Sequence, residues 1–154
     1  MPCIDLTIEI AAPIERVFDL TRSIDAHQQS QSRHAEKAVA GRTSGLIGEG
    51  ETVTWEARHL GARRRLTSRI AKMDRPRHFR DVMVEGSFAR LEHDHFFESL
   101  PDGRTRMRDV FDYSAPFGWL GRIADHLFLE AYMRRLLAAR NAVIKQLAEI
   151  HSES

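Results

Sequence analysis

The chain has 154 residues, a formal net charge of +1 and a charged fraction of 29%, which fits one domain over 1–154 with a core of its own. So balanced a charge excludes a global field that recruits nucleic acid or an anionic membrane, and no nucleic-acid partner is expected. No run approaches the ~20 apolar residues of a membrane span, no signal-like segment opens the chain, and one cysteine, Cys3, allows no internal disulfide; a cytoplasmic protein is expected.

Residues 3–11 alternate, with Ile4, Leu6, Ile8 and Ile10 against Asp5, Thr7 and Glu9, which predicts a half-buried strand. Pro13 sits where the first turn of a helix tolerates it, and Val17, Phe18 and Leu20 give that helix an apolar stripe through Thr21. Ser23 reads as the N-cap of a second short helix over 24–29. From His34 to Ala115 the chain reads as strands: 34–43, 51–60, 64–73, 78–85, 88–100 and 105–114. Gly61-Ala62 is a turn, and Arg63-Arg64-Arg65 reads as a solvated hairpin tip. Pro76 ends the third of these strands. The three glycines of 45–50 lack the phosphate-loop pattern, so no nucleotide cofactor is expected there; the segment reads as a strand connection that could border a cavity mouth.

The triplet Pro101-Asp102-Gly103 fixes a register. A three-residue loop with Gly in the left-handed position sets Leu100 opposite Arg104. Phe97 then faces Met107, His95 faces Asp109, His93 faces Phe111 and Leu91 faces Tyr113. This matches the apolar faces of both strands, whereas a one-residue slip would turn every side chain over.

Residues 119–150 are helical, with Gly118 and Gly121 at the start. Leu120, Ile123, Ala124, Leu127 and Ala131 line one side. Met133, Leu136, Leu137, Val143, Ile144 and Leu147 lie nearly opposite on a 100° wheel. The apolar face therefore changes sides near Glu130. Either the first part is separate or bent, or it packs on another surface, such as a second subunit in a homodimer.

Several motifs carry a family resemblance. The opening Ile10-Ala11-Ala12-Pro13-Ile14-Glu15-Arg16-Val17-Phe18 resembles the strand-to-helix junction of the START-related, Bet v 1-like (SRPBCC) superfamily. The segment from Ala40 to Gly48, Val53-Thr54-Trp55, Ala57 to Gly61 and Leu66 to Ile70 resemble its bacterial polyketide cyclase/dehydrase-like branch. So do Glu92-His93-Asp94-His95-Phe96-Phe97-Glu98 and Pro116-Phe117-Gly118-Trp119-Leu120-Gly121. The resemblance implies an α+β helix-grip fold, β-α-α-β6-α, whose twisted antiparallel sheet wraps a long C-terminal helix. It also implies a cavity between them for an apolar or amphipathic small molecule. A sheet with one apolar face needs such a helix to cover it.

Polar groups interrupt the faces expected to point inward: His59 beside Trp55, Asp81 beside Met83, His93 and His95 between Leu91 and Phe97, and Asp109 between Met107 and Phe111. With Tyr113, Phe117 and Trp119, these residues form the expected cavity set. An aspartate beside a histidine fixes its tautomer and raises its basicity. His95 with Asp109 is thus a structural pair, a ligand-orienting pair, or a general base assisted by Tyr113 or His93 as the acid. His93-x-His95 with His59 as third ligand would suit zinc, but the lone thiol is remote and no metal is expected. Around Trp119 the glycines suit a mobile gate; the alternative is a helix-entry turn with Trp119 in the core. The expected function is binding of an apolar or aromatic, lipid- or polyketide-like small molecule, with cyclase or dehydratase chemistry at His95 as the alternative.

Overall fold

A computed structural model describes residues 3–59 and 61–150. The sequence order is β1 (Cys3–Ile10), α1 (Ile14–Thr21), α2 (Ile24–Ser30), β2 (Lys37–Gly41), β3 (Thr52–His59), β4 (Ala62–Asp74), β5 (His78–Glu85), β6 (Arg90–Ser99), β7 (Thr105–Ser114), α3 (Gly118–Ala124) and α4 (Glu130–Ile150). A 3-10 turn, Ser32–His34, precedes β2, and a π turn, Asp125–Leu129, joins α3 to α4 in one continuous helix. Expected strands and observed strands agree within a few residues; Leu60, placed at the end of β3 from sequence, lies outside the described residues. The turn after β4 carries a cis Arg75–Pro76 bond.

The seven strands form one antiparallel sheet in the order β1-β7-β6-β5-β4-β3-β2. The first two strands of the chain are therefore the sheet's two edges, and α1 and α2 carry the chain across between them. Ser23 caps α2 as expected, its hydroxyl accepting from the Ala26 N–H at 3.1 Å. In the β6–β7 hairpin, Gly103 has φ +86° and the Leu100 N–H donates to the Arg104 carbonyl at 2.8 Å. The register follows as expected: Leu91↔Tyr113, His93↔Phe111, His95↔Asp109, Phe97↔Met107.

The sheet curls around α4 and buries two apolar groups. One is built on Val17, Phe18, Val53, Ile70, Phe79, Phe97, Met107 and Ile144. The other holds Ile4, Leu91, Phe111, Tyr113 and Leu137. Each such aliphatic or aromatic side chain contributes about 1.5–3 kcal/mol when fully buried. His93 and His95 lie at the seam between them: His95 stacks on Phe79 of the first group (ring centroids 4.1 Å). His93 meets Phe111 of the second edge-on at 5.1 Å.

The expected change of face near Glu130 takes the form of the π turn, which holds one more residue per turn than ideal helix and so resets the phase of the side chains. Leu120, Ile123 and Leu127 remain exposed. The inward side of α3 is instead Gly121, which passes so close to the preceding loop that an added Cβ would sit 1.7 Å from the Pro116 carbonyl oxygen.

Candidate ligand-binding site

Between the concave sheet face and the C-terminal helix lies a cavity of about 500 Å³. That volume is within the usual range for small-molecule sites. Trp55, Ala57, Ile70, Phe79, Leu91 and Phe111 line its sheet side; Leu129, Met133, Leu136 and Leu137 line its helix side. Apolar lining follows from strand alternation: β3, β5 and β6 each turn every second residue inward.

The polar wall is built on a buried carboxylate. Asp109, fully buried in β7, accepts from the His93 Nε2–H at 2.8 Å and from Arg140 Nη2 at 2.9 Å on Oδ1. Its Oδ2 accepts from Asn141 Nδ2 at 2.8 Å. His95 donates from Nε2 to Asp81 Oδ2 at 2.8 Å. His95 Nδ1 stands 3.2 Å from Asp109 Oδ1 without hydrogen-bond alignment. Both histidine–carboxylate bonds run diagonally. By register Asp81 opposes His93 and Asp109 opposes His95, yet each histidine bonds the aspartate opposite the other. Diagonal neighbours come within reach of long side chains in a twisted antiparallel sheet. The rings instead take the directly opposed partners, Phe79 for His95 and Phe111 for His93.

Charge follows from these contacts. Burial, then the charge on His95, pushes His93 down to about 4, so it is neutral at pH 7 with its proton on Nε2 and an accepting Nδ1. Burial pulls His95 down too, but the Asp109 and Asp81 carboxylates outweigh it and raise it above the ordinary histidine value. Burial works against ionised Asp109 as well, yet Arg140 and the two histidines hold it well below the usual carboxylate range. Asp81, also opposed by burial, shifts the same way through His95 and His93. The wall thus sets the Asp109 and Asp81 carboxylates against Arg140 and a histidine whose protonated form they favour, so the buried charges are paired.

Of the expected cavity set, Trp55, His59, Asp81, Leu91, His93, His95, Phe111 and Phe117 line the cavity. Asp109 lies behind the wall. Phe97 and Met107 belong to the solid core beside it, and Met83 packs outside the lining against the second group. Tyr113 is buried away from the histidines, its hydroxyl donating to Asp125 of the π turn. Trp119 is neither cavity wall nor core: it is 66% exposed, because α3 turns Gly121 inward and Trp119 outward. Phe117, in a left-handed conformation (φ 68°), is exposed at the cavity edge.

These positions revise the expected base. His95 donates from Nε2 to Asp81 rather than pairing with Asp109 through an aligned hydrogen bond, and the Tyr113 hydroxyl is given to Asp125. The expected third metal ligand is also elsewhere: His59 donates to or accepts from the Tyr132 hydroxyl at 2.8 Å and stacks on His34. Among the described residues, the set whose ligand atoms do converge, within 4.8 Å, is Asp81, His93 and His95. There both histidine Nε2 atoms are bonded to carboxylates, and Arg140 lines the same wall.

Sequence reasoning missed Arg140 and Asn141. A signal existed: they fall on the same stripe as Leu137, Ile144 and Ala148, three or four residues apart. Charged residues on such a stripe are buried with a partner or not at all.

A sheet gripping a long C-terminal helix over a cavity defines the helix-grip class shared by Bet v 1-like and START proteins. Similar solved structures include TTHA0849 from Thermus thermophilus (21% identity, TM-score 0.77, covering 98% of this chain and 99% of that one). An aromatase/cyclase, ZhuI, from Streptomyces sp. R1128 is also similar (17% identity, TM-score 0.77, 96% and 93% covered), as is a START superfamily protein from Mycobacterium smegmatis (16%, 0.69, 94% and 98%). A comparison with curated protein sequences gives no match. The chain belongs to the polyketide cyclase/dehydrase and lipid transport family, whose model matches residues 1–149.

Proposed function

We propose that the protein binds an apolar, aromatic or amphipathic small molecule in the cavity, with a hydroxyl of the ligand at the polar wall. The observation that carries this reading is a largely apolar cavity of about 500 Å³ into which a polar cluster, Asp81, His93, His95 and Arg140, faces. Asp81, 20% exposed on an inward-facing strand position, offers its second oxygen as an acceptor beside the accepting Nδ1 of His93. Two acceptors favour a donor such as a phenolic hydroxyl, and the anion of Asp81 repels a carboxylate. The family and the named similarities support ligand binding of this kind.

Titration with 2-naphthol, naphthalene and 2-naphthoate tests the reading. Saturable binding is expected, with 2-naphthol about tenfold tighter than naphthalene, the worth of one net hydrogen bond, and naphthoate weakest. Ala57→Phe, which fills the cavity from β3, should abolish binding while the thermal transition stays cooperative. Absence of saturable binding, or unchanged binding in Ala57→Phe, would overturn it.

A further inference from the structure

Residues 117–128 present large apolar side chains to solvent: Phe117 is 84% exposed, Leu127 68%, and Leu120, Ile123 and Phe128 each more than half. Together with Trp119 they form one continuous face of α3 and the π turn. A patch of this kind is uncommon on a monomer and marks a contact surface.

The charges around it are mainly positive, and Glu130 at its end is paired with Arg134 at 3.6 Å. Arg122 and His126 are exposed between the apolar residues. The single acidic residue of 115–129, Asp125, is buried and bonded by Tyr113. Across the cavity edge lies the β3–β4 hairpin with exposed Arg63, Arg64 and Arg65; Glu56 takes Arg63 and Arg65 at 3.5 and 2.8 Å, leaving a net positive tip. Phe117 and Phe128 from the patch, and Arg64 and Arg65 from the tip, are both exposed and cavity-lining, so they frame its mouth.

We propose that this apolar face and the arginines around it dock on an anionic lipid surface, with the cavity mouth held against the bilayer. Trp, Phe and Leu side chains on one face with cations beside them are the composition of a segment lying in the membrane interface. Each arginine near an anionic leaflet strengthens the attraction. A second copy of the chain fits less well. A two-fold contact would set Arg122 and the arginine tip against positive charge of the same patch, whereas anionic headgroups neutralise them. An apolar guest could then pass between bilayer and cavity without crossing water.

Vesicle flotation tests this with the full chain. The protein should float with vesicles of phosphatidylcholine mixed with phosphatidylglycerol, not with phosphatidylcholine alone, and raised salt should release it. Tryptophan emission should shift to the blue on binding, and Trp119→Phe, which keeps Trp55, should lose the shift. Leu127→Glu and Arg122→Glu, both at exposed positions, should each weaken association about tenfold with an unchanged thermal transition. No association with anionic vesicles overturns the proposal. So does equal association by Leu127→Glu, or a dimer in sedimentation that Leu127→Glu dissolves without any vesicle binding. Because 2-naphthol uptake is measured separately, flotation without uptake would sink the ligand reading and leave the docking surface standing.

Discussion

Asp109 anchors the polar wall, and its four neighbours make removal of any one costly. Arg140→Met would leave a buried carboxylate with its main countercharge gone, at about 3–5 kcal/mol by chemical denaturation. Asp109→Asn combined with Arg140→Met should recover much of that loss, since no unpaired charge remains. The histidines give a pH signature. An unfolded His93 takes a proton near 6.5, while the folded one refuses it until about 4. Across that window the unfolded chain binds more protons, so the stability His93 contributes is complete above about 6.5 and falls as pH drops, by up to ~3 kcal/mol. His95 acts oppositely: raised in the fold, its contribution is complete below its ordinary value and is lost as pH rises through the raised one. Imidazole NMR titrations should therefore show His93 neutral at pH 5 while His95 is still protonated above its ordinary range. The sequence placed His95 opposite Asp109 through the hairpin loop, and that backbone register is what the structure has. It did not reveal the crossed hydrogen bonds, because sheet twist decides which diagonal a side chain reaches, and Asp81 comes from a strand whose register no tight turn fixes.

At the scale of elements, turn chemistry made the sheet readable. Pro101-Asp102-Gly103 specified the pairing of β6 with β7 to the residue, and alternation of β3 and β5 identified their inward faces. Gly103→Ala would place a side chain at φ +86° with nothing nearby to clash, a loss of about 1 kcal/mol without change of register. Gly121→Ala is a harsher test, because its methyl would meet the Pro116 carbonyl directly. The helix entry must then shift, at about 1–3 kcal/mol, and Trp119 fluorescence should report the displacement. The two faces of the C-terminal helix were visible as opposed apolar arcs, but the π turn that reconciles them was not. Nothing in Asp125-His126-Leu127-Phe128-Leu129 breaks a helix; the turn arises where Tyr113 draws Asp125 inward.

For the whole molecule, the succession of elements and the covering helix followed from pattern and resemblance, whereas the cavity did not follow from pattern. A void consists of atoms that are not there, and Phe97 and Met107 differ from Leu91 and Phe111 only in what lies above them. That difference has a thermodynamic reading. A guest bound by the folded protein alone raises stability by about 2.7 kcal/mol at a hundred times its dissociation constant. Thermal melts with saturating 2-naphthol should therefore rise by several degrees for the native sequence and not for Ala57→Phe.

Arg140 and Asn141 divide the long helix into two arms of unequal fastening, like a lever over its fulcrum. Beyond them, Arg16 holds the carbonyls of Leu147 and Ala148, Lys145 holds the Glu9 carbonyl, and Glu149 holds the Ala11 N–H. Before them, the sheet and the turn after α2 reach the helix through side chains: Tyr113 to Asp125, His59 to Tyr132 and Gln31 to the Leu136 carbonyl. Hydrogen exchange should be slowest over 140–148 and faster over 118–132. The short arm is then the anchor, and the long arm, which roofs the cavity, is the part whose exchange should respond to a bound guest.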